Sequence, residues 1–475
     1  MRKRSLLAGL ALLAGPAFGS PWAEVGDNQL RADIELLAAS GLLDSVTTHW
    51  PLPWTSIFPQ LRDASLVGQP DEVQAAVARV LAQAEHQSRP GYHDSAEIDA
   101  TNSAGVVHGF DSLGRGDGEA QAAMSYSSAD FSGRLAVGTY TQSFTGAATK
   151  LNLDNSFAAA KIGETALVYG GWLTHWWGPG WIAAMSLSNN ARPIPQVGIE
   201  RLETSASSWP VLEWLGPWQG EFFIGMLDGP QKQKNVIYDG LRFTFHPASG
   251  LEVGVARTDE ICGRGHPCSP LEYFQLQNSA GHADKFNDEG LIDLKYSRTV
   301  FGLPLQAYLQ VMNEDSSPFT HSGTSHLFGM TAFVATSGNP LRLTAEFADA
   351  IATTDIFSFG DYIRNFSYTD YKYIDGMHYR GRTLGFSLDT DSKLLSLQAG
   401  WSDPSGRFYE LTLHRASIAA NMVSSAPVSF DIAEARVTLP FRGLKFDLAG
   451  RVEDDQPRPS RGFAAAFESR IRIGF

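Results

Sequence analysis

Cysteine, basic residues and long hydrophobic runs are all scarce in this chain. Of 475 residues only two are cysteine, and 37 lysines and arginines face 51 aspartates and glutamates, for a formal net charge of −14. This acidic balance excludes nucleic acid as a partner, because binding to phosphates requires a basic surface. After the N-terminus, no stretch approaches the ~18 consecutive apolar residues of a membrane-spanning helix. A protein that crosses a membrane with helices is therefore excluded as well.

The N-terminus carries an export signal. Three basic residues at 2–4 precede an apolar run at 6–14, and the small-residue pattern Ala-Phe-Gly follows at 17–19. This arrangement predicts a secretory signal peptide over residues 1–19. An exported chain without membrane-spanning helices can reside in a membrane only as a closed β-barrel. A soluble periplasmic or secreted β-protein is the alternative.

The C-terminal segment alternates between two kinds of side chain. One set is Phe463, Ala465, Phe467, Ser469, Ile471, Ile473 and Phe475, and the set between includes Glu468, Arg470 and Arg472. A period of two predicts a strand with one face toward lipid and the other toward a polar lumen. A chain that stops on an aromatic residue after such a strand is typical of a bacterial outer-membrane barrel. An edge strand of a soluble sandwich is the alternative.

Residues 20–90 form a separate region with a helical pattern. Asp27 has the position of a helix N-cap, and apolar residues follow it at helical spacing until Gly41. A second helix is predicted to begin at Pro70, and a connection rich in proline and tryptophan lies between the two at 49–61. We predict a small helical domain over 20–90, placed in the periplasm; a plug at the base of the barrel is the alternative.

Strand-like segments recur with turn residues from Ala104 to the C-terminus. We predict strands at 104–111, 119–127, 132–141, 155–162, 165–171, 181–188, 218–227, 238–246, 251–258, 290–298, 303–312, 326–336, 341–349, 380–389, 393–402, 431–439, 444–452 and 463–475. Single-chain bacterial barrels have an even number of strands, and this pattern amounts to about 18. The predicted fold class is an all-β transmembrane antiparallel barrel over 104–475, with the small α-helical domain in front of it.

Connection lengths predict the orientation of the barrel. If the chain enters from the periplasm, the tight turns lie inside, and the segments expected outside are 258–289, 313–325, 350–379, 403–430 and 453–462. Two segments conflict with this scheme. Residues 189–217 are predicted inside or in the lumen although they are long, and 407–416 is strand-like but is required as a loop.

The two cysteines, Cys262 and Cys268, lie close together in the turn-rich segment ICGRGHPCSP. In an exported protein such a pair is expected to form a loop disulfide. With His266 between them, two thiolates could instead contribute to a metal site, but a tetrahedral site needs about four ligands. We predict the disulfide, and neither a metal nor a cofactor.

Several motifs, in order along the chain, resemble the Wzi family of capsule-assembly outer-membrane proteins. They are QLRADIELL at 29–37, WPLPW at 50–54, GWLTHWWGPG at 171–180, LSNNARP at 187–193, WLGPWQGEFF at 214–223 and the terminal Phe475. The resemblance runs from the first helix to the final strand and is densest between 169 and 230. It implies a barrel of about 18 strands with periplasmic helices, which acts as an outer-membrane lectin and holds capsular polysaccharide at the cell surface.

The resemblance also implies partners. These are surface or capsular polysaccharide, outer-membrane lipid and lipopolysaccharide, and the barrel-assembly machinery, with the barrel itself a monomer. An acidic polymer would require a local basic patch, with Arg364, Lys372, Arg380 and Arg382 as candidates, or bridging divalent ions. A near-neutral polymer would require neither.

The segment from 350 to 379 is the main candidate for glycan binding, because five of the 14 tyrosines lie in it. A tyrosine offers an apolar face to the C–H groups of a sugar and a polar tip to the hydroxyls. We predict ligand contacts from Tyr362, Arg364, Tyr368, Asp370, Tyr371, Tyr373 and His378. A self-packed loop, with some tyrosines in the outer interfacial girdle, is the alternative.

Trp176 and Trp177 precede a sharp turn that the strand order places at the outer rim. They are predicted to form either a sugar-stacking platform or part of the interfacial aromatic girdle. Asn189, Asn190 and Arg192 are predicted to line the lumen or to lock the helical domain, and a structural role is favoured for them.

Enzymatic motifs such as G-x-S-x-G and H-E-x-x-H do not occur in the sequence. We therefore expect a protein that is not an enzyme. The alternative function is a porin-like channel whose selectivity depends on lumen arginines, namely Arg436, Arg451, Arg470 and Arg472.

Overall fold

The computed structural model describes residues 20–474, except for 112, 143–146, 267, 278–285, 315–322, 337–338, 359, 404, 419–427 and 455–461. The predicted signal peptide and the terminal Phe475 lie outside the described residues. Within those residues, no helix is both long enough and apolar enough to cross a membrane.

An antiparallel barrel of 18 strands forms the body of the protein and is closed by pairing of its first and last strands. The strands are β1 (Gly91–Thr101), β2 (Gly118–Ser127), β3 (Phe131–Gln142), β4 (Ala147–Asn152 and Phe157–Ile162), β5 (Ala166–Trp172), β6 (Pro195–Arg201), β7 (Trp218–Leu227), β8 (Val236–Ala248), β9 (Leu251–Ile261), β10 (Phe286–Val300), β11 (Leu303–Glu314), β12 (Thr324–Thr336), β13 (Asn339–Thr353), β14 (Lys393–Ser402), β15 (Phe408–Ile418), β16 (Val428–Phe441), β17 (Leu444–Asp454) and β18 (Phe463–Gly474). β4 counts as one strand because both of its segments pair with β3.

The predicted fold class and strand number are confirmed, but three strands lie elsewhere in the sequence. Predicted strands that are not part of the wall are 104–111, 181–188 and 380–389. Wall strands that were not predicted are β1, β6 and β15. The barrel therefore begins at Gly91 rather than Ala104, and the segment 407–416, which had been required as a loop, lies mostly within β15.

Side chains alternate between an outward apolar face and an inward polar face. In β18, Phe467 and Ile471 are exposed on the outside, while Glu468 and Arg470 are buried on the inside, as predicted. This arrangement suits lipid outside, because an arginine that faces hydrocarbon costs about 2–4 kcal/mol near the bilayer midplane.

Inward charges occur as ion pairs between neighbouring or nearby strands. Arg242 lies 2.8 Å from Asp293, and Arg342 lies 2.8 Å from Glu410. All four side chains are buried, and each buried charge is compensated by the opposite charge of its partner.

Three helices cover one end of the barrel, which we call the helix end. The tight turns, the start of β1 and the end of β18 lie at this end. The opposite end is called the loop end. The helices are α1 (Asn28–Ala39), α2 (Trp54–Arg62) and α3 (Asp71–Gln87), of which α2 was not predicted. Asp27 caps α1 as expected, since its carboxylate accepts a hydrogen bond from the Leu30 N–H at 3.0 Å. Glu35 of α1 lies 2.9 Å from Lys295 of the wall, which fixes the helices to the barrel.

Candidate functional site

The lumen is occupied by a segment that connects β5 to β6, and we call residues 175–194 the plug segment. Every residue in it is buried. It enters from the loop end and meets the N-terminal segment that comes from the helix end. Trp176 and Trp177 pair as a short antiparallel ladder with Trp50 and His49, and the Gly178 N–H donates to the Thr48 carbonyl at 2.9 Å.

Trp176 and Trp177 are therefore not at the rim. Both indoles are 0 % exposed, so they form neither a sugar platform nor part of an interfacial girdle. Trp176 packs against Phe110 with ring centroids 5.6 Å apart, inside the core that includes the helices. The aromatic motif fills the lumen, where a large flat side chain buries much apolar area.

The plug segment is held to the wall by a carboxylate. Glu346 of β13 accepts backbone hydrogen bonds from Trp181 at 2.7 Å, Ile182 at 3.1 Å and Ala183 at 2.7 Å. The Tyr308 hydroxyl also donates to it at 2.7 Å. The N–H groups of an irregular buried backbone require acceptors, and the two carboxylate oxygens of Glu346 accept from three of these N–H groups.

A second buried carboxylate links the plug segment to the N-terminal segment. Glu221 lies 2.9 Å from His49 Nε2 and 2.9 Å from His175 Nε2. Burial lowers the pKa of His49. Among the described residues, no set of three His, Cys, Asp or Glu side chains is arranged to hold a metal ion. The two contacts of Glu221 link the plug segment, through His175, to the N-terminal segment, through His49.

Asn190 and Arg192 also connect buried parts, in line with the structural role predicted for them. The Asn190 amide donates to the Thr383 carbonyl at 2.9 Å. Arg192 lies 2.6 Å from Asp154 and 2.9 Å from Glu119. They line the lumen and hold the plug segment to the wall and to a second insertion.

That second insertion comes from the connection between β13 and β14, and we call residues 360–392 the cover segment. It contains all seven residues predicted there as ligand contacts. Tyr368 and Tyr373 are buried, with exposures of 0 % and 1 %, so their rings are not accessible to a polymer. The Tyr368 hydroxyl donates to the Met185 carbonyl of the plug segment at 2.6 Å.

Two further predicted contacts organise the cover segment. The Asp370 carboxylate accepts hydrogen bonds from the Lys372 and Tyr373 N–H groups, each at 2.7 Å, and so forms a turn. His378 Nε2 lies 2.9 Å from Asp389. Burial lowers the pKa of His378, but the hydrogen bond and charge of Asp389 outweigh this effect and raise it overall.

The remaining predicted contacts are exposed at the loop end. Tyr371 is 79 % exposed, and the Lys372 ammonium lies 4.5 Å from the centre of its ring. Tyr362 lies between two cations, with the Arg364 guanidinium 5.7 Å and the Lys393 ammonium 4.1 Å from its ring centre. Aromatic rings with adjacent cations and free edges are suited to polar, ring-shaped ligands.

Cys262 and Cys268 form a disulfide with a Cα–Cα distance of 5.4 Å. The loop that it closes supports the cover segment. His266, between the two cysteines, stacks on Tyr373 with ring centroids 5.3 Å apart, and the Tyr373 hydroxyl donates to the Cys262 carbonyl at 3.4 Å.

A polar cavity of about 300 Å³ remains between the wall and the inserted segments, next to the closing seam. Its charged lining includes Glu97, Asp99, Arg115, Glu119, Arg134 and Arg470. Of these, only Arg470 was singled out from the sequence. The others lie at inward positions of β1 to β3, except Arg115, which lies in the loop between β1 and β2. Their position around one cavity follows from how these first strands pair, which the sequence alone does not give.

The chain matches a family model and is similar to known proteins. The family model described as "Capsule assembly protein Wzi" matches residues 85–417, more than half of the chain. A relative described as an uncharacterized 55.8 kDa protein in the cps region of Klebsiella pneumoniae is 24 % identical over 312 residues, which are 64 % of this chain and 61 % of the relative. The aligned part thus spans about three fifths of that relative.

Among solved structures, the fold is similar to that of Wzi from Escherichia coli. The TM-score is 0.83 with 20 % sequence identity, and the superposition covers 95 % of this chain and 99 % of the other. That protein is described as an outer-membrane protein involved in group 1 capsule assembly and as a carbohydrate-binding β-barrel. By the extent of the family match, the present chain belongs to the Wzi family of capsule assembly proteins.

Proposed function

We propose that this protein is an outer-membrane lectin that binds capsular or other surface polysaccharide at its loop end and retains the polymer on the cell. The observation that carries the proposal is the family match over residues 85–417. The loop end then faces the outside, and the helices lie in the periplasm. The proposal includes a monomer in outer-membrane lipid and lipopolysaccharide, inserted by the barrel-assembly machinery, that binds without a chemical step.

The exposed part of the cover segment supports binding at this end. Tyr371 and Tyr362 present accessible rings, and Arg364 and Lys372 stand beside them. The buried tyrosines of the same segment hold this surface in place rather than contacting polymer. Individually weak contacts would gain strength because a polysaccharide repeats the same unit along its length.

A substrate channel is disfavoured by the contents of the lumen. The plug segment is buried throughout, and it meets the N-terminal segment at Trp50 and Thr48. The predicted channel arginines are engaged in ion pairs, for example Arg436 with Asp111 at 3.0 Å and Arg472 with Asp447. In planar bilayers we expect little stable conductance.

The test compares cell-associated and shed polysaccharide in a strain that lacks the protein, complemented with wild type or with variants. We expect normal synthesis with release into the medium, and restored retention with the wild-type protein. Tyr371→Ala should reduce retention and binding of purified polymer without changing thermal stability. Tyr126→Ala, an exposed tyrosine on β2 near the helix end, is the matched control and should behave as wild type. Unchanged retention in the deletion strain would refute the proposal.

A further inference from the structure

The connection between β6 and β7 exposes large apolar side chains at the helix end. It spans residues 202–217, and we call it the rim loop. The exposed side chains are those of Trp209, Val211, Leu212 and Trp214, with exposures between 36 % and 78 %. A group of apolar side chains on a protein surface marks contact with a membrane or with another molecule.

The rim loop is fixed to the protein at both of its ends. Near its start, the Thr204 hydroxyl lies 2.7 Å from the hydroxyl of Ser45, in the connection between α1 and α2. Near its end, Gly216 has a φ of 62° and passes close to the wall, because a Cβ atom there would collide with the His246 carbonyl oxygen. The apolar side chains between these points are therefore presented by a defined backbone.

The apolar surface of the rim loop continues the outward face of the wall. Trp214 packs edge to face against Phe245 of β8, with ring centroids 5.8 Å apart. Phe245 points outward, because β8 alternates and its neighbour Thr244 is fully buried inside. Phe243, the next outward residue, contacts Trp218 at the start of β7, with centroids 5.4 Å apart. The rim loop and the lipid-facing wall thus share one aromatic surface.

Charge contributes little to this surface. Residues 202–217 contain two glutamates and neither lysine nor arginine. Arg201, just before the rim loop, lies 3.9 Å from the centre of the Trp218 ring and donates to the Ser205 carbonyl at 3.0 Å. Because no cationic side chain extends from the rim loop, its attraction to a partner is apolar and should not depend on salt.

Exposed aromatic side chains occur at two other turns of the helix end. Phe301 lies in the turn between β10 and β11, and Phe441 lies at the end of β16. These turns and the rim loop are at separate places around the wall, which closes as a ring in strand order. A lipid leaflet surrounds the barrel and reaches all three places, whereas one protein partner would cover only one side. The distribution therefore favours lipid as the partner.

We propose that the rim loop inserts Trp209, Val211, Leu212 and Trp214 into the membrane leaflet at the helix end and anchors the barrel there in phospholipid. Tryptophan suits this place, because its ring is apolar while its indole N–H can donate to the headgroup region. The inference goes beyond the lectin function and does not depend on it. Under the proposed orientation, the leaflet concerned is the inner one.

The test places a nitroxide spin label on the full-length protein in vesicles of phosphatidylethanolamine and phosphatidylglycerol. The label is attached at Val211→Cys, and it is specific because the two native cysteines form a disulfide. Val67→Cys is the matched control, since Val67 is also an exposed valine but lies between α2 and α3, away from the wall. Leu241→Cys, on the outward face of β8, is the reference for lipid. Collisions of the label are measured with oxygen, which dissolves in lipid, and with a polar nickel chelate, which stays in water.

We expect the label at 211 to collide with the nickel chelate at least about threefold less often than the label at 67, because polar solutes are excluded from apolar surroundings. Its ratio of oxygen to nickel collisions should approach that at 241 and should not change with salt. Equal nickel collisions at 211 and 67 would overturn the proposal. A label at 211 that is accessible in vesicles but shielded in isolated outer membranes would also overturn it and would assign the surface to a protein partner.

Tryptophan fluorescence gives a second measurement that needs no label. Vesicle lipids brominated on their acyl chains quench the tryptophans that lie next to lipid. If Trp209 and Trp214 are inserted, the double variant Trp209→Phe with Trp214→Phe should show a smaller quenched share of fluorescence than wild type. If they lie in water, the share should rise, and the proposal would fail. Retention of polysaccharide is a separate readout, so failure of this anchor and failure of the lectin function are distinguishable.

Discussion

The plug segment and the cover segment both enter the barrel from the loop end, but they differ in what they expose. In the plug segment every side chain is buried, including three tryptophans and two asparagines. In the cover segment, buried and exposed tyrosines alternate irregularly, and Tyr371 and Ile374 extend into solvent although Tyr373 between them is buried. The plug segment fills the lumen. The cover segment lies at the loop end and presents accessible side chains there.

The difference shows how similar residues serve stability in one place and recognition in another. Tyrosine 368 joins the two segments through its hydroxyl, whereas Tyr371 has its ring in solvent only three positions later. Composition alone does not separate these roles, because a tyrosine-rich loop is equally compatible with either. Substitutions that affect only stability or only binding will separate them.

The largest effect is expected from the anchor of the plug segment. Glu346→Ala would leave the N–H groups of Trp181, Ile182 and Ala183 buried without acceptors. We expect a loss of about 3–5 kcal/mol in the free energy of unfolding, measured by urea denaturation in detergent. Glu203→Ala, at an exposed position of the helix end, should change it by less than about 0.5 kcal/mol. A loss below about 1 kcal/mol for Glu346→Ala would show that the plug segment does not depend on this carboxylate.

An intermediate effect is expected from the contact between the two segments. The Tyr368 hydroxyl donates to the Met185 carbonyl at 2.6 Å and accepts from the Phe386 N–H at 3.3 Å. Tyr368→Phe should therefore lower the free energy of unfolding by about 1–2 kcal/mol. The same change at Tyr371 should be neutral within about 0.5 kcal/mol. Equal effects of the two substitutions on thermal unfolding would contradict the division into buried and exposed tyrosines.

The smallest effect concerns pH and the cover segment alone. The hydrogen bond to Asp389 raises the pKa of His378 above its ordinary value of 6.5, although burial opposes the rise. The contribution of the pair is therefore complete below pH 6.5 and is lost as pH rises through the folded-state pKa. Hydrogen exchange in the cover segment, corrected for intrinsic rates, should show weaker protection at high pH. Asp389→Asn should remove this dependence, and its persistence in that variant would assign the effect to another group.

The wall could be predicted from the sequence because strand alternation is a strong signal. Fifteen of the predicted strands coincide with wall strands, and the register of β18 placed Glu468, Arg470 and Arg472 on the inside as observed. The predicted strand at 181–188 was wrong because WIAAMSLS is a mostly apolar run in a buried segment. A short apolar run of this kind has the same sequence pattern as a buried strand. β1 was missed because its many polar residues mask the alternation. The segment of β15 has a strand-like pattern, but the parity of the predicted strand count required it as a loop.

The site was predicted less well, for a related reason. The tyrosine-rich segment was located, but its chain direction changes at left-handed positions such as Asn365, Tyr368 and Arg380. Without a constant period, the sequence does not indicate which side chain points inward. Arg115 was missed because its importance depends on contacts with residues distant in sequence, such as Asn189 and Arg382.

Only residues 88–90 separate the end of α3 from the start of β1. So short a tether keeps the helices at an effective concentration in the millimolar range or above at the opening that they cover. A transient detachment of the N-terminal segment from Trp176 and Trp177 would accordingly be followed by rapid return rather than by diffusion away. The helices therefore stay at the opening of the barrel because the chain ties them to β1, as well as because of the contacts that they make with the wall.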